Sequence, residues 1–279
     1  MALPQSLLVI VGDELLGGFT TDRNGTLATR RLFELGYPVR HIEIVPDSIE
    51  DIAAAVRRGI EDPRIARIIV CGGIGPTPDD RTHEGVARAL GRELVEEGTA
   101  LRHIEAMVAR MHAAGWVPSP VPTPANRRMA LMASGGRVLE NRRGMAPPLA
   151  VELPVPAGAE PGPSAPGADA PPSPGRWLFV LPGVPREFAA VLEEALVPEF
   201  FSASRPLSVV ELHHPGAVEA DFAEPLRQLE TEFPDVTAGS YPQQLGNDPV
   251  LVIRLRGENP DRVAAAAERL AVLRSIPTG

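Results

Sequence analysis

Short apolar runs alternate with amphipathic segments through the first third of the chain. Such runs are typical of strands, and apolar residues spaced three and four apart between them are typical of helices. The predicted strands are Leu7–Val11, Val39–Val45 and Ile65–Cys71, and the predicted helices are Asn24–Leu35, Ser48–Ile60 and Thr82–Leu90. This alternation predicts an α/β fold in which helices cover both faces of a parallel sheet.

The pattern continues more irregularly in the middle of the chain. The predicted elements are a helix over Thr99–Ala114, a helical turn over Asn126–Leu131, a strand over Arg137–Glu140, and a hairpin of strands Leu149–Leu153 and Trp177–Leu181. Between the hairpin strands, residues 154–175 are more than half Pro and Gly and include no Leu, Ile, Phe, Tyr or Trp. Because such a segment buries too little apolar area to offset its ordering cost, we predict a disordered insertion there.

A second pattern starts after Ser204. It predicts strands over Leu207–His213, Val236–Tyr241 and Val250–Arg256, and helices over Glu219–Phe233 and Pro260–Leu273. This βαββα order is typical of a small α+β domain whose antiparallel sheet has helices on one side. We therefore expect a first domain over residues 1–203 and a second over residues 204–279.

The loop between the third predicted strand and the following helix carries most of the candidate chemistry. It contains Gly72, Gly73 and Gly75, followed by two prolines and the carboxylates Asp79 and Asp80. Glycines allow close approach of a ligand, and a strand end, glycine loop and helix start together form a phosphate site. The carboxylates can hold a divalent cation that binds the phosphate. The alternative is a tight turn with Asp80 as the helix N-cap.

Other acidic residues follow the first two predicted strands. Gly12, Asp13 and Glu14 come after the first strand, and Asp47 comes after the second. Ligands of parallel α/β sheets bind beyond the carboxyl ends of the strands. We expect these residues to converge with the glycine loop.

Composition restricts the classes of function. The net charge of −9 and a pI near 5.3 argue against binding to nucleic acid or to an anionic membrane surface. The chain has no apolar run long enough to span a membrane and no secretory signal, so we expect a soluble cytoplasmic protein. The single cysteine, Cys71, excludes an internal disulfide, and its place at a strand end favours a small apolar role.

Four motifs occur in order along the chain: Val11–Gly18 with Asp22 and Asn24, then Gly72–Asp80, Asn126–Leu131 and Leu181–Glu187. Together they resemble the CinA-like (competence/damage-inducible protein A) branch of the molybdopterin-binding MoaB/Mog superfamily, over Leu7 to about Leu196. Ile74 replaces a threonine of the molybdenum-pathway branch, which favours the CinA type. The second domain resembles the small middle domain of CinA-type proteins. The carboxy-terminal deamidase domain of full-length members is expected to be absent.

The resemblance implies a three-layer α/β/α MoaB/Mog-like domain that binds a nucleotide or pterin. In adenylyltransferase members, two acidic loops surround Mg²⁺ and a phosphate, and these loops correspond to Asp47 and Asp80. CinA-like amino-terminal domains are linked to metal-dependent hydrolysis of ADP-ribose-type pyrophosphates, with Mg²⁺, Mn²⁺ or Co²⁺ as the expected cation. The resemblance also implies a homo-oligomer, with a dimer preferred over a trimer.

The resemblance implies further ligand contacts, each with a structural alternative. Asp13 and Glu14 complete the metal shell or bind a ribose hydroxyl, or else form a solvated turn. Asn24 orients the ligand or caps a helix, and Thr77 donates to phosphate or closes a turn. The remaining candidates, expected at the phosphate or at the distal part of the ligand, are Asn126, Arg127, Pro182 and Gly183.

One loop departs from the family pattern. Asn141–Pro148 replaces a family loop of sequence NPVGTAPG, with Met145 in place of a hydroxyl donor and Pro148 in place of a glycine. Three functions therefore stay open. They are a metal-dependent nucleotide pyrophosphatase, a protein that binds or adenylylates molybdopterin, and a non-catalytic ligand-binding or assembly protein.

Overall fold

The computed structural model describes residues 4–154, 175–201, 206–246 and 248–275. The chain forms two compact units, Met1–Ser204 and Arg205–Gly279. The predicted disordered insertion lies outside the described residues, except for Pro154 and Gly175 at its ends. None of the helices in the described ranges is long and apolar enough to cross a membrane.

The first unit contains eight strands and eight α-helices within its described residues. The strands are β1 (Gln5–Val11), β2 (Val39–Val45), β3 (Ile65–Cys71), β4 (Leu94–Glu96), β5 (Leu131–Ala133), β6 (Arg137–Val138), β7 (Leu149–Leu153) and β8 (Arg176–Leu181). The helices are α1 (Asp13–Leu16), α2 (Asn24–Glu34), α3 (Ile49–Glu61), α4 (Thr82–Leu90), α5 (Gly98–Ala113), α6 (Pro124–Arg128), α7 (Pro185–Val191) and α8 (Val197–Phe200), with a π-helical turn between α7 and α8.

Six of these strands form one sheet in the order β2-β1-β3-β8-β7-β6. Strands β2, β1, β3 and β8 run parallel, whereas β7 pairs antiparallel with β8 and β6 with β7. The mostly parallel sheet and the predicted hairpin are thus confirmed. Parallel order brings the carboxyl ends of β1, β2, β3 and β8 to one edge of the sheet.

The central strands are buried on both faces because their successive side chains enter different cores. Val9 of β1 and Val70 of β3 pack with helices α3, α4 and α5. Ile10 and Ile69, the next residue of β1 and the preceding residue of β3, pack with α2, α7 and α8. Consecutive apolar residues in these strands therefore produce the predicted three-layer α/β/α domain.

The middle of the chain contains a small two-stranded sheet that the apolar pattern does not predict. Strand β4 pairs antiparallel with β5. The helical turn predicted over Asn126–Leu131 spans Pro124–Arg128 instead, and a capping box of Thr123 and Asn126 sets its start at Pro124. Leu131 belongs to β5, so its prediction as helical is wrong. The strand predicted to reach Glu140 ends at Val138.

The second unit has the predicted βαββα order. Its elements are β9 (Ser208–Pro215), α9 (Ala223–Glu232), β10 (Thr237–Leu245), β11 (Asp248–Gly257) and α10 (Pro260–Ser275). The sheet is antiparallel, in the order β10-β11-β9. Alternate β11 residues such as Ile253 pack against Leu229 of α9 and Leu270 of α10. The first turn of the helix predicted at Glu219 is a separate 3-10 turn, Glu219–Phe222.

Candidate functional site

A cavity of about 320 Å³ opens beyond the carboxyl ends of β1 and β3. Eight of the predicted site residues line it: Gly12, Glu14, Asn24, Asp47, Gly72, Gly73, Asp80 and Gly183. The acidic segments after β1 and β2 therefore converge with the glycine loop, as their position in a parallel sheet predicts.

The glycine loop requires its first two glycines for steric reasons. Gly72 has φ +101° and Gly73 has φ +61°, values that side chains rarely tolerate. A Cβ on Gly72 would clash with the Val11 carbonyl, and one on Gly73 would lie 2.5 Å from Thr82 Oγ1. The Thr82 hydroxyl donates to the Gly72 carbonyl at 2.7 Å, which joins the loop to the start of α4.

Only part of the loop's backbone is free to bind phosphate. Gly72 N–H donates to the Leu181 carbonyl at 3.1 Å, and Gly75 N–H donates to Asp80 at 2.7 Å. Gly72 and Gly75, which the sequence analysis places in the phosphate site, therefore have no free N–H group to offer a ligand. Among the described residues, the N–H groups of Gly73 and Ile74 have no acceptor. Within Gly72–Gly75, these two N–H groups therefore remain available to a ligand; Gly73 lines the cavity, whereas Ile74 does not.

Asp80 organises the loop instead of capping the helix. Its carboxylate accepts from Gly75 N–H, from Thr77 N–H at 2.8 Å and from the Thr77 hydroxyl at 2.5 Å. Arg81 occupies the N-cap position of α4, so the alternative of Asp80 as N-cap is wrong. Thr77 closes a turn onto Asp80. A carboxylate has about four lone-pair sites, so Asp80 keeps limited capacity for a cation.

The surroundings of Asp47 disfavour the ionised form of its carboxylate. Burial raises the pKa of Asp47, and repulsion from Asp13, Glu14 and Asp79 raises it further. A hydrogen bond of 2.9 Å from Asp13 N–H to Asp47 Oδ2 acts in the opposite direction. A cation near Asp47 would relieve this repulsion, because it favours the ionised carboxylate.

The donor set fits a cation that takes only part of its ligands from the protein. Glu14, Asp22, Asp47, Asp79 and Asp80 line the cavity. However, the described residues include no group of three or more His, Cys, Asp or Glu side chains arranged to hold a metal ion. Mg²⁺ is usually held by one or two carboxylates together with water and substrate phosphate, and Asp47 and Asp80 suit that arrangement.

Asn24 connects the ends of β3 and β8. Its Nδ2 donates to the Gly183 carbonyl at 2.7 Å and contacts Cys71 Sγ at 3.1 Å. Its Oδ1 is buried and has no partner among the described residues. Asp22, not Asn24, caps α2, because the Asp22 carboxylate accepts from Asn24 N–H. The position of Asn24 suits contact with a ligand that carries a hydrogen-bond donor.

The second strand-end loop packs closely on the first. A Cβ on Gly183 would lie 3.1 Å from Gly72 Cα, and the Pro182 carbonyl accepts from Cys71 Sγ at 3.4 Å. Burial raises the pKa of Cys71 to about 12. The thiol is therefore protonated at neutral pH, as expected of a small buried residue without nucleophilic chemistry.

Other predicted site residues lie outside the cavity lining. Asp13, Gly75, Thr77 and Pro182 adjoin it through the contacts already described, whereas Asn126 and Arg127 are used elsewhere. Asn126 completes the capping box of α6, and Arg127 forms an ion pair of 3.0 Å with Glu96. These bonds give both residues a structural role.

The divergent Asn141–Pro148 loop is internally ordered. It precedes β7, whose residue Leu149 pairs with Val180, so the loop lies at the same sheet edge as the glycine loop. The buried Asn141 accepts from the N–H groups of Arg143 and Gly144 and donates to Glu187 at 3.0 Å. None of its residues lines the cavity.

The structure adds cavity residues that the sequence reasoning did not select: Thr20, Thr21, Asp22, Arg23 and Asp79 line the cavity as well. Asp22 belongs to the first motif, and Asp79 was assigned to the loop. Thr20, Thr21 and Arg23 could have been found from the sequence, because they lie between the acidic turn Gly12–Glu14 and Asn24 along the chain.

The comparisons with known proteins agree with this architecture. Residues 7–201 match the family described as probable molybdopterin binding domain, and residues 214–275 match the middle domain of FAD synthase. Protein PH0439 of Pyrococcus horikoshii is 36% identical over 199 residues, which are 71% of this chain and 69% of that protein. A CinA-like protein of Citrifermentans bemidjiense is 36% identical over 217 residues, 77% of this chain and 45% of that protein.

A solved structure is also similar to this chain. The protein CinA of Thermoplasma acidophilum, described as of unknown function, has a TM-score of 0.53 and 28% identity, over 70% of this chain and 96% of that chain. Fold and cavity define an α/β protein with an acidic, glycine-lined ligand site. More narrowly, the chain belongs to the molybdopterin-binding MoaB/Mog family, in its CinA-like branch.

Proposed function

We propose that this protein is a divalent-metal-dependent nucleotide pyrophosphatase of CinA type, which hydrolyses ADP-ribose-like, FAD-like or CoA-like phosphoanhydrides. The observation that carries the proposal is that Asp47 and Asp80 line one cavity together with the glycine loop. Carboxylates for a cation and free N–H groups for phosphate are the components that phosphoanhydride chemistry uses.

Each group of the chain has a defined task in this reaction. Asp47 and Asp80 would hold the cation, which supplies Lewis acidity toward a phosphoryl oxygen when bound. The N–H groups of Gly73 and Ile74 would donate to the negative charge that develops on phosphate. Asn24 Oδ1 would accept from a ligand hydroxyl. Water adds to phosphorus and the bridging P–O bond breaks, so ADP-ribose gives AMP and ribose 5-phosphate.

Turnover assays test the proposal directly. The purified protein is incubated with ADP-ribose, FAD, CoA or ATP in the presence of Mg²⁺, Mn²⁺ or Co²⁺, and nucleotide products are separated by chromatography. We expect AMP from ADP-ribose, loss of that product with EDTA, and a decrease of at least about 100-fold in Asp47→Asn. Glu105→Gln, on the exposed surface of α5, is the matched control. Absence of turnover with every substrate and metal would refute hydrolysis.

A second candidate function follows from the family match over residues 7–201. The same cavity could bind molybdopterin, with adenylyl transfer from ATP or with no reaction at all. Tight molybdopterin binding without hydrolysis of any dinucleotide would favour this function, and AMP attached to the pterin would identify the adenylylating form.

A further inference from the structure

The cavity contains a single cationic side chain among its described lining residues. Arg23 lines it, together with the carboxylates of Glu14, Asp47, Asp79 and Asp80 among others. The whole sequence contains no lysine, so arginine is the only side chain that carries a permanent positive charge in this protein. A nucleotide diphosphate that enters this cavity meets mostly like charge, except at Arg23.

Arg23 has no partner that explains its position. Within the described parts of the chain, no carboxylate lies within 4.0 Å of its guanidinium and no hydrogen bond involves it. By contrast, two other arginines of this unit are paired, Arg127 with Glu96 and Arg31 with Glu193. The Arg23 guanidinium is therefore available to an anion from outside the chain.

The adjoining helix does not explain Arg23 either. Arg23 is the N-cap residue of α2, yet it makes no capping bond with its side chain. Asp22 supplies the cap, since its carboxylate accepts from Asn24 N–H at 2.9 Å and from Gly25 N–H at 3.0 Å. A positive charge at a helix N-terminus is disfavoured by the helix dipole. Helix stability alone would select against arginine here.

We infer that Arg23 and the glycine loop bind two linked phosphates of one ligand, with the glycine loop on one phosphate and Arg23 on the other. Arg23 thereby selects diphosphate-bridged ligands over monophosphates. The guanidinium presents a planar pair of donors that matches two phosphate oxygens. Gly73 and Ile74 hold one phosphate beside the β3 end, and Arg23 holds the next from the start of α2. This inference rests on the proposed function, because it requires a ligand with two linked phosphates.

Calorimetric titration tests this assignment separately from catalysis. Wild type, Arg23→Gln and Arg23→Lys are titrated with inorganic pyrophosphate, ADP-ribose and AMP, each with Mg²⁺. We expect Arg23→Gln to raise the Kd for pyrophosphate and ADP-ribose at least about 10-fold and to change the Kd for AMP less than about 3-fold. Arg23→Lys should recover part of the loss. Arg57→Gln removes an exposed, unpaired arginine of α3 and serves as the charge-matched control.

The outcomes distinguish this inference from the proposed reaction. Equal affinity of wild type and Arg23→Gln for pyrophosphate, an equal loss in Arg57→Gln, or an equal loss for AMP would overturn the role of Arg23. Failure of wild type to bind pyrophosphate would overturn it as well. Arg23-dependent pyrophosphate binding without AMP release from ADP-ribose would refute the hydrolase and leave the Arg23 assignment intact.

Discussion

Asp47 and Asp80 both line the cavity, but their carboxylates have different surroundings. Asp80 accepts three hydrogen bonds from its own loop, whereas Asp47 accepts one, from Asp13 N–H, and is repelled by neighbouring carboxylates. Asp80 therefore contributes to the shape of the loop. Asp47 is placed at a cost in stability that a bound cation would offset, a pattern typical of functional sites.

Neutralising Asp47 should stabilise the unliganded protein at neutral pH. The folded-state pKa of Asp47 is raised, so folding favours the protonated form, and its stabilising contribution is lost as pH rises through that pKa. We expect Asp47→Asn to raise the Tm at pH 7 by about 1–3 °C, an advantage that shrinks as the pH falls below the range of carboxyl titration. Differential scanning calorimetry across pH measures it. Glu105→Gln should show no such pH-dependent gain, and a lower Tm for Asp47→Asn at pH 7 would contradict the assignment.

At the scale of elements, the site depends on the packing of two loops against each other, each of which joins a strand to a helix. The glycine loop joins β3 to α4, and the Gly183 loop joins β8 to α7, with Asn24 bonded to both strand ends. The two loops lie so close together that a Cβ added to Gly183 would stand 3.1 Å from Gly72 Cα. This close contact restricts substitution at Gly183, whereas Val11 restricts it at Gly72 and Thr82 restricts it at Gly73.

Gly73 offers a matched test of this packing. Gly73 and Gly91, the C-cap residue of α4, have nearly equal φ values of +61° and +62°, but only Gly73 faces a neighbour that a Cβ would strike. Each substitution to alanine should cost about 1–2 kcal/mol for the left-handed backbone. Gly73→Ala should cost about 1–3 kcal/mol more through the clash with Thr82, and it should abolish pyrophosphate binding. Urea unfolding and titration measure both effects. Equal losses of stability in the two variants would show that the loop relaxes freely.

The elements themselves could largely be predicted from periodicity. The boundaries of α4 and of β2 and β3 agree with the prediction because residues that interrupt regular structure stand next to them: Pro38 and Pro46 flank β2, Gly72 follows β3 and Gly91 follows α4. The strands β4 and β5 were missed, since each has only three residues and no repeat that a pattern can show. The boundary of α6 was set by the Thr123–Asn126 capping box, which is a hydrogen-bond effect.

At the scale of the whole molecule, each unit has its own hydrophobic core. The two cores of the first unit consist of residues up to Phe201, and the core of the second consists of residues from Phe222 onward. All the cavity residues belong to the first unit. Ligand binding should therefore be a property of the first unit.

Separating the units tests this expectation. We expect a polypeptide of residues 1–204 to fold and to bind pyrophosphate with Mg²⁺ within about 3-fold of the full chain, because its core and cavity are complete. Circular dichroism and calorimetric titration provide the measurements. A folded 1–204 polypeptide that does not bind pyrophosphate would assign part of the site to residues after 204.

The sequence by itself determined the fold class and the edge of the sheet where the site lies. Apolar periodicity indicates parallel strands, and parallel strands bring the acidic turns after β1 and β2 to the glycine loop. Only the tertiary structure decided which groups remain available to a ligand. Gly72 and Gly75 donate within the protein, Asn126 and Arg127 bond elsewhere, and Arg23 remains unpaired in an acidic cavity. Hydrogen-bond pairing depends on distances between residues far apart in the chain, and periodicity does not record those distances.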